Sequence, residues 1–354
     1  MESKSNDWEN LPIWKALYPL AGTYLRLAFK YRDPFFFSNV NPAIITSGLF
    51  GESKIKILDA IPENFKPASI FLERNWSTQQ CMEQIKLKPL PYPLVAKPNI
   101  GERGFLVRII QSEKELKSYI QQYGIDIILQ EFIDLPEEMA IMYHRLPEEN
   151  KGQIMSICVK KYLSVIGDGI SSVKELMEKD ERARKQVKRF QQEKAELLDV
   201  IPQNGINLIL EKVGNHTKGT TFLNGEHLLN PLMLNQFNKI GQQMEGIFYG
   251  RFDLKYNTLA ELNQGKNIQI IEFNGVGAEP AHIYDPKIPV RQKIKAYKDH
   301  LVRIGHLHQI QKERGFQSIS LVDFLSIYKS YKKQTDLKRI PKRKTLRHAL
   351  TELH

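Results

Sequence analysis

Two stretches near the C-terminal third decide the fold: "IFYGRFDLKY" at 247–256 and "NIQIIEFNGV" at 267–276. Both have the apolar and polar pattern of strands, and residues 257–266 connect them. Side chains two residues apart on a strand project from the same face. Arg251 and Asp253 have this spacing, and so do Glu272 and Asn274. If the two strands are neighbours, all four side chains gather on one face.

These four side chains predict a magnesium site. Two carboxylates and an amide oxygen suit Mg²⁺, which takes one or two carboxylates and lets substrate phosphates fill other positions. The alternative is that Asn274 only begins a turn and that Arg251 and Asp253 form an exposed ion pair. Glu272 favours the metal, because it follows the apolar run "IQII" into the interior, where an unpaired carboxylate is costly.

A second motif, "LVAKPNIGERGF" at 94–105, predicts contacts to phosphate. Glycines free backbone amides to approach phosphate oxygens, and a lysine at a strand end adds a point charge. The candidate residues are Lys97, Gly101, Arg103 and Gly104. Neither a GxxxxGK[ST] loop nor a GxGxxG fingerprint after a strand occurs in the chain.

A third motif, "ILQEFIDLPEEMAI" at 128–141, is typical of a hinge strand that offers backbone groups to adenine. The candidates for adenine are Gln130, Glu131, Phe132 and Ile133, and Glu138 would accept from ribose hydroxyls. The alternative is a hairpin with an exposed acidic turn.

Two further polar segments contain candidate residues. In "SICVKKYLSVIGDG", adjacent Lys160 and Lys161 face opposite sides of a strand, so only one of them can enter the site. The loop "GNHTKGTTF" places His216 where it could close over a substrate, although a lone loop histidine is more often on the surface.

Composition sets broad limits. The 354 residues carry a net charge of +11, much of it between Lys329 and Arg347, where a basic end could bind a polyanion or simply be solvated. Cys81 and Cys158 lack CxxC spacing, which favours a reducing, cytoplasmic setting without a disulfide. The segment 11–31 contains three basic residues, so we expect an amphipathic helix on the body of the protein or on a membrane surface.

Local patterns predict four units. They are a helical N-terminal region at 1–90, a lobe with the glycine-rich loop and hinge at 91–170, a lobe with the metal site at 171–288, and a basic helical extension at 289–354. A capping box at Ser172 and Glu175 predicts one long charged helix that ends near Val200.

The ordered motifs resemble the ATP-grasp superfamily, and within it the D-alanine:D-alanine ligase and cyanophycin-synthetase branch of bacterial enzymes. The similarity covers about residues 90–286. It implies an α+β fold in which two lobes sandwich ATP. The region before Leu90 departs from the family, since "NVNPAIITSGLFGESK" at 39–54 replaces its early substrate motif. The substrates are therefore left open.

The resemblance also implies roles. Lys97 and Lys160, or Lys161, would hold ATP phosphates, the segment around Glu131 adenine, and Glu138 ribose. The metal ligands Asp253, Glu272 and Asn274 would bind two Mg²⁺ ions, or Mn²⁺. Arg251 would stabilise the phosphoryl group or the tetrahedral intermediate, and it is assigned with Lys97 to catalysis.

These roles predict a ligase that joins a small carboxylate to an amine, or to a thiol, through an acyl phosphate. Candidate substrate contacts are Tyr143, Arg145, His216 and His282. The alternatives are a small-molecule kinase of the same fold, a non-catalytic scaffold, and a binding protein that uses the basic tail on a polyanion or membrane. A nucleic-acid partner is not expected, and the sequence leaves the oligomeric state open.

Overall fold

The computed structural model describes residues 13–102 and 104–343 and has a mixed α+β architecture. The helices are α1 (Ile13–Tyr31), α2 (Lys54–Ala60), α3 (Thr78–Leu87), α4 (Glu113–Gln122), α5 (Val173–Lys179), α6 (Glu181–Arg184), α7 (Val187–Glu193), α8 (Ala195–Leu198), α9 (Pro231–Gln243), α10 (Leu259–Asn263), α11 (Val290–Glu313) and α12 (Leu321–Thr335). The strands are β1 (Ser69–Leu72), β2 (Leu94–Pro98), β3 (Arg108–Ile110), β4 (Ile127–Glu131), β5 (Glu137–Arg145), β6 (Gly152–Lys161), β7 (Ser164–Ile166), β8 (Asn207–Ile209), β9 (Thr221–Asn224), β10 (Tyr249–Tyr256) and β11 (Ile268–Asn274).

The first lobe is a four-stranded antiparallel sheet in the order β1-β4-β2-β3. Helices α3 and α4 contribute apolar residues to its core, among them Cys81, Leu116 and Ile120. A capping box at Ser77 starts α3, because the Ser77 hydroxyl accepts from Gln80 N while the Gln80 side chain accepts from Ser77 N. Lys97 lies near the end of β2, which is one of the two central strands of this sheet.

The second lobe is a five-stranded antiparallel sheet in the order β11-β10-β5-β6-β9. One face packs on α9, where Phe237 meets Phe252 in the largest apolar cluster. The alternation of β10 sends Phe252 and Leu254 to that core and leaves Arg251 and Asp253 on the opposite face. The predicted pairing of the two strands is therefore present, with Asp253 opposite Glu272.

A small third sheet pairs β7 with β8 and packs on α5 to α8. The predicted capping box at Ser172 and Glu175 begins α5. The prediction of one long helix to Val200 is wrong, since the chain breaks into four short helices. At the first break, the Asp180 carboxylate accepts from the backbone N–H of Arg182 and Ala183, which starts α6 afresh.

The sheets divide the chain differently from the predicted units. Strand β1 lies before residue 90 but pairs with β4, so the first lobe reaches into the predicted N-terminal region. Strands β5 and β6 lie in the predicted 91–170 unit but pair next to β10 in the second lobe. The crossing between lobes therefore falls between β4 and β5.

Three long helices complete the second lobe. Helix α1 packs along α11, and α12 places Phe324, Tyr328 and Tyr331 against Phe50. Helix α1 leaves Tyr18, Leu25 and Phe29 exposed, and the predicted membrane-surface contact stays a prediction. None of the described helices has both the length and the apolar character needed to cross a membrane.

Candidate active site

The metal-ligand candidates converge on one face of the second sheet. Asp253 lies directly opposite Glu272, and Arg251 lies opposite Asn274. Asp253 is 3% exposed, and its Oδ2 accepts from Arg251 Nη2 at 3.0 Å and from Asn274 Nδ2 at 3.1 Å. Arg251 also donates through Nη1 to the Glu279 carbonyl at 3.1 Å. The two strand ends therefore form one connected polar cluster.

A β-bulge turns Glu272 toward this face. The register places Glu272 opposite Asp253 but Ile270 opposite Leu254, and skips Ile271. Without the bulge, Ile270 and Glu272 would share a face, and the carboxylate would enter the apolar core beside α9. The bulge also lets the Ile271 carbonyl accept from Lys97 Nζ at 3.2 Å. This contact joins the phosphate-binding candidate of the first lobe to the metal candidate of the second.

Lys160 is the lysine of its pair that enters the site. Its Nζ lies 2.8 Å from Glu138 Oε1 and 3.0 Å from Asp253 Oδ1, and the residue is buried. Burial lowers the pKa of Lys160, but Asp253 and Glu138 more than reverse this and raise the pKa above its usual value. Lys161 is exposed and pairs with Glu137 at 3.2 Å. The alternation of the strand thus separates the two lysines as predicted.

Lys97 is a cation whose charged form is disfavoured by burial. Its Nζ donates to Gln130 Oε1 at 2.9 Å and to the Ile271 carbonyl, so its direct partners are uncharged. Burial lowers its pKa to about 8, with Glu272 opposing and Lys54 adding to the effect. A phosphate that reaches this lysine would supply the anionic partner it lacks.

Glu272 pairs with a lysine that the sequence analysis did not assign. Its Oε1 accepts from Lys54 Nζ, and Lys54 begins helix α2. Burial raises the pKa of Glu272, but Lys54 and Lys97 overcome this and bring the pKa to about 2. The carboxylate is therefore ionised at any ordinary pH, as a metal ligand must be.

The glycine-rich loop follows Lys97 toward the loop that contains His216. A Cβ on Gly104 would lie 3.1 Å from Asn215 Nδ2, so the two loops touch, and Gly104 has a φ of 75° that favours glycine. Gly101 lies in the same loop. Arg103, a predicted phosphate contact, falls outside the described residues. The loop contact supports closure of the two loops over one site.

The hinge candidates differ among themselves. Gln130 and Glu131 belong to β4, and Glu131 N donates to the Ala68 carbonyl at 2.9 Å, so their backbone is part of the first sheet. Phe132 and Ile133 lie beyond the end of that strand, in the crossing between the lobes. These two residues are therefore better placed for adenine than Gln130, whose side chain holds Lys97.

Glu138 is buried on β5 and does not lie in an exposed turn. It is 2% exposed, accepts from Lys160 and from Tyr162 Oη at 2.8 Å, and lies under Gly214, where a Cβ would come within 2.6 Å of both carboxylate oxygens. Its first role here is to hold Lys160. Contact with ribose stays a prediction that requires one of these partners to move.

Two of the predicted substrate contacts are placed elsewhere. Tyr143 Oη donates to Asn238 Oδ1 at 3.0 Å, and Arg145 Nε donates to the Gly241 carbonyl at 2.9 Å. Both partners belong to α9, on the face opposite Asp253. Tyr143 and Arg145 therefore fix α9 to the second sheet, and their assignment to substrate needs correction.

The two histidine candidates have different surroundings. His216 packs between the rings of Phe222 and Tyr284, and Phe222 in turn lies under the Lys160 ammonium. His282 Nδ1 shares a hydrogen bond with Ser156 Oγ at 2.6 Å and lines a cavity of about 620 Å³ beside α11. His216 is thus next to the metal face, whereas His282 faces a separate cavity.

Three charged residues beside the site were not predicted from the sequence. Lys54 pairs with Glu272, and Glu52 lies close enough to raise the pKa of Lys54. Lys255 is paired in register with Glu138, is buried, and lies near the Phe132 and Tyr162 rings. Only Lys255 had a sequence signal, because it lies two residues after Asp253 on the same strand face.

The donor set fits Mg²⁺. Two carboxylates and an amide from Asn274 meet on one face, which matches a cation that keeps waters and takes substrate phosphates as further ligands. Across residues 13–102 and 104–343 no group of three or more His, Cys, Asp or Glu side chains forms a metal cage. Lys160, Arg251 and Lys54 keep Asp253 and Glu272 ionised. A bound metal cation would take over part of this role.

Residues 59–148 match the family model of the RimK-like ATP-grasp domain. The chain therefore carries an ATP-grasp domain, as the resemblance implied, and this domain class is that of ATP-dependent ligase enzymes. The predicted α+β ATP-grasp fold is confirmed. The match covers about a quarter of the chain and ends before Arg251, so it does not reach the metal-ligand candidates.

Solved structures of ligases resemble this chain only distantly. The bifunctional glutathione synthetase from Pasteurella multocida has 15% identity and a TM-score of 0.37, over 71% of this chain and 36% of that one. The VanG D-Ala:D-Ser ligase from Enterococcus faecalis has 11% identity and a TM-score of 0.42, over 78% and 64%. The D-alanine–D-alanine ligase from Bacillus anthracis has 16% identity and a TM-score of 0.41, over 74% and 68%.

All three TM-scores are below 0.5, so these similarities do not define a substrate. The chain spans about a third of the glutathione synthetase and just under two thirds of the D-Ala:D-Ser ligase. No curated protein matches the chain at a significant level.

Proposed function

We propose that this protein is an ATP-dependent carboxylate–amine ligase that uses Mg²⁺ and an acyl phosphate. One observation supports this above all: Asp253 and Glu272 oppose each other on one sheet face, Lys160 and Arg251 form ion pairs with Asp253, and Lys97 reaches the same strand end. Carboxylates with adjacent cations are what an ATP-dependent transfer needs, because a carboxylate must approach a polyanionic triphosphate.

The proposed reaction has two steps. A substrate carboxylate oxygen attacks the γ-phosphorus of ATP, the bond to the β-phosphate oxygen breaks, and ADP leaves with the electron pair. An amine nitrogen then attacks the carbonyl carbon of the acyl phosphate, inorganic phosphate leaves, and the nitrogen loses one proton. Asp253, Glu272 and Asn274 would hold Mg²⁺, as one or two ions, and the metal would offset the charge of the phosphate oxygens. Mn²⁺ would serve the same purpose.

The protein's own residues would position and neutralise these charges. Lys97 and Lys160 would contact phosphate oxygens, while Arg251 would stabilise the charge that develops on the transferred group. Arg251 is fixed for this by its bonds to Asp253 and the Glu279 carbonyl. Phe132 and Ile133 would hold adenine at the crossing between the lobes. Contact between the glycine-rich loop and the His216 loop would exclude water from the acyl phosphate.

An isotope experiment tests the reaction. Purified protein with Mg·ATP is screened for phosphate release against pools of carboxylates and amines, and each active carboxylate is then labelled with ¹⁸O. Transfer of one ¹⁸O atom to inorganic phosphate, together with an amide product, would establish the acyl phosphate. A kinase would instead yield ADP and a stable phosphorylated product without release of inorganic phosphate, and a thioester would indicate a carboxylate–thiol ligase.

Variants connect the activity to the site. Glu272→Gln removes the carboxylate with little change of shape, and we expect turnover to fall on the order of 10²-fold or more while the fold persists. Lys161→Met removes an exposed lysine beside the site and should leave turnover unchanged. Full activity of the Glu272→Gln variant would exclude the proposed metal face.

A further inference from the structure

An N-terminal segment at residues 47–55 forms a third wall of the site. Ser47 and Gly48 accept through their carbonyls from the backbone N–H groups of Val276 and Gly277, each at 3.0 Å. This attaches the segment to the residues that follow Asn274 on β11. The approach is close, because a Cβ on Gly275 would lie 2.1 Å from the Ser47 carbonyl.

The other end of the segment is attached to the first lobe. Asn99, two residues after Lys97, accepts from Ser53 Oγ at 3.1 Å and from Ile55 N at 3.0 Å through its side chain. Its carbonyl accepts from Lys54 N at 3.0 Å. The backbone of Lys54 is therefore held by the same turn that follows the phosphate-binding lysine.

The side chain of Lys54 enters the cluster from this fixed backbone. It is 14% exposed and forms an ion pair with Glu272. Lys54 also lies near enough to Lys97 to lower the pKa of that lysine. A mostly buried lysine placed between a proposed metal ligand and a proposed phosphate ligand is more than a surface ion pair.

We propose that Lys54 is a further catalytic residue, which binds the transferred phosphoryl group once a divalent cation has taken Glu272. This inference rests on the proposed function. A cation on Glu272 competes for the oxygen that Lys54 now contacts, while the backbone contacts to Asn99 keep the ammonium inside the site. The phosphoryl group is the anion that arrives there, and a charge-assisted bond to it would be strong.

The simpler alternative is that Lys54 only neutralises Glu272 before the metal binds. In that case the ammonium would turn toward Glu52, whose Oε2 is buried without a hydrogen-bond partner among the described residues. The two ideas differ in what Lys54 contacts when nucleotide, metal and phosphoryl group are all present.

Calorimetric titrations separate them without any need for the acceptor substrate. The ligands are Mg·ADP alone and Mg·ADP with aluminium fluoride, which mimics a phosphoryl group in transfer. Lys54→Met is compared with Lys56→Met, which removes an exposed lysine from the same helix. We expect Lys54→Met to bind Mg·ADP like the wild type but to lose about 10- to 100-fold of the affinity that fluoride adds. Lys56→Met should keep it, and Lys54→Arg should keep part.

Each other result has a clear meaning. If Lys54→Met keeps the whole fluoride effect, or if fluoride adds nothing to wild-type affinity, Lys54 does not bind the phosphoryl group and the proposed ligase still stands. If the wild type binds no Mg·ADP, the proposed function itself fails. Circular dichroism and melting of Lys54→Met show whether the variant is folded, and Lys54→Arg provides the conservative variant if it is not.

Discussion

Lys160 shows how the site depends on the pairing of buried opposite charges. Its ammonium lies between Glu138 and Asp253, and all three residues are buried. Removing one partner of such a group leaves uncompensated charge in a medium that solvates it poorly. Lys161 differs by one position and lies in solvent, so the two lysines form a natural pair of variants.

We expect Lys160→Met to lower the free energy of unfolding by roughly 3–5 kcal/mol and to abolish tight Mg·ADP binding. Lys161→Met should change stability by less than about 0.5 kcal/mol and leave binding intact. Chemical denaturation and calorimetry measure both effects. Similar results for the two variants would show that Lys160 has no special place in the site.

The lowered pKa of Lys97 predicts that nucleotide binding depends on pH. Its pKa of about 8 means that the free protein loses this charge as the pH rises through 8, and a neutral amine binds phosphate poorly. Affinity for Mg·ADP should therefore fall by up to about tenfold per pH unit above pH 8. For this group alone, folding becomes more favourable between pH 8 and its unfolded pKa, because the unfolded chain then binds more protons. The loss of binding is thus not unfolding.

Titrations from about pH 7 to about pH 9.5 measure this dependence, and Lys97→Arg is the control because its guanidinium stays charged throughout. A pH profile that is the same in Lys97→Arg would assign the dependence to another group.

At the scale of single elements, the bulge at Ile271 shows why the sequence predicts part of the site only. The spacing of Arg251 and Asp253, and of Glu272 and Asn274, is enough to place each pair on one face. The sequence does not contain a signal for the bulge, which turns Glu272 away from the face of Ile270 and frees the Ile271 carbonyl for Lys97. Tertiary packing on α9 decides where the extra residue goes.

The same limit explains the residues that were misplaced or missed. Tyr143 and Arg145 have polar side chains that could contact a substrate. In the structure they project toward α9 and hold that helix to the sheet. Lys54 lies 218 residues from Glu272 in sequence, in a segment without a family motif. A contact of that separation has no local pattern from which to predict it.

Gly275 tests the contact between the N-terminal segment and β11. A methyl group there would lie 2.1 Å from the Ser47 carbonyl and 2.9 Å from Gly48 Cα, so one of the two backbones must shift. We expect Gly275→Ala to lower the free energy of unfolding by about 1–3 kcal/mol and to weaken Mg·ADP binding, since the metal-ligand candidate Asn274 would move. Gly22→Ala is the control, because a methyl group on that α1 residue meets no atom within 4 Å. Unchanged melting and binding of Gly275→Ala would show that the segment is not part of the site.

For the whole molecule, the motifs predict the ATP-grasp fold better than they predict the boundaries between its parts. Short β-rich runs and their order are visible in the sequence, whereas the partner of each strand is not. Strand β1 comes from the predicted helical region, and β5 joins the second lobe rather than the first. The basic end of the chain was expected to be solvated or to bind a polyanion, and its residues 344–354 lie outside the described part.

The described part of that end returns to the first lobe. Arg343 is 5% exposed and donates to the backbone carbonyls of Glu73, Trp76 and Ile125, while Gly124 N donates to the Pro341 carbonyl at 2.7 Å. Since α12 packs on Phe50 through Tyr331, this end joins the N-terminal segment to the first lobe. A deletion after Lys329 would remove both contacts, so it cannot test polyanion binding alone.

Point variants separate support of the fold from polyanion binding. Arg343→Met should lower the free energy of unfolding by about 1.5–3 kcal/mol, because a charged donor to buried carbonyls is lost. Arg339→Met removes the same charge from an exposed side chain that pairs with nearby Asp336, so its stability should match the wild type. Melting at low and high salt measures both. If Arg343→Met melts like Arg339→Met, the contacts of Arg343 do not stabilise the first lobe.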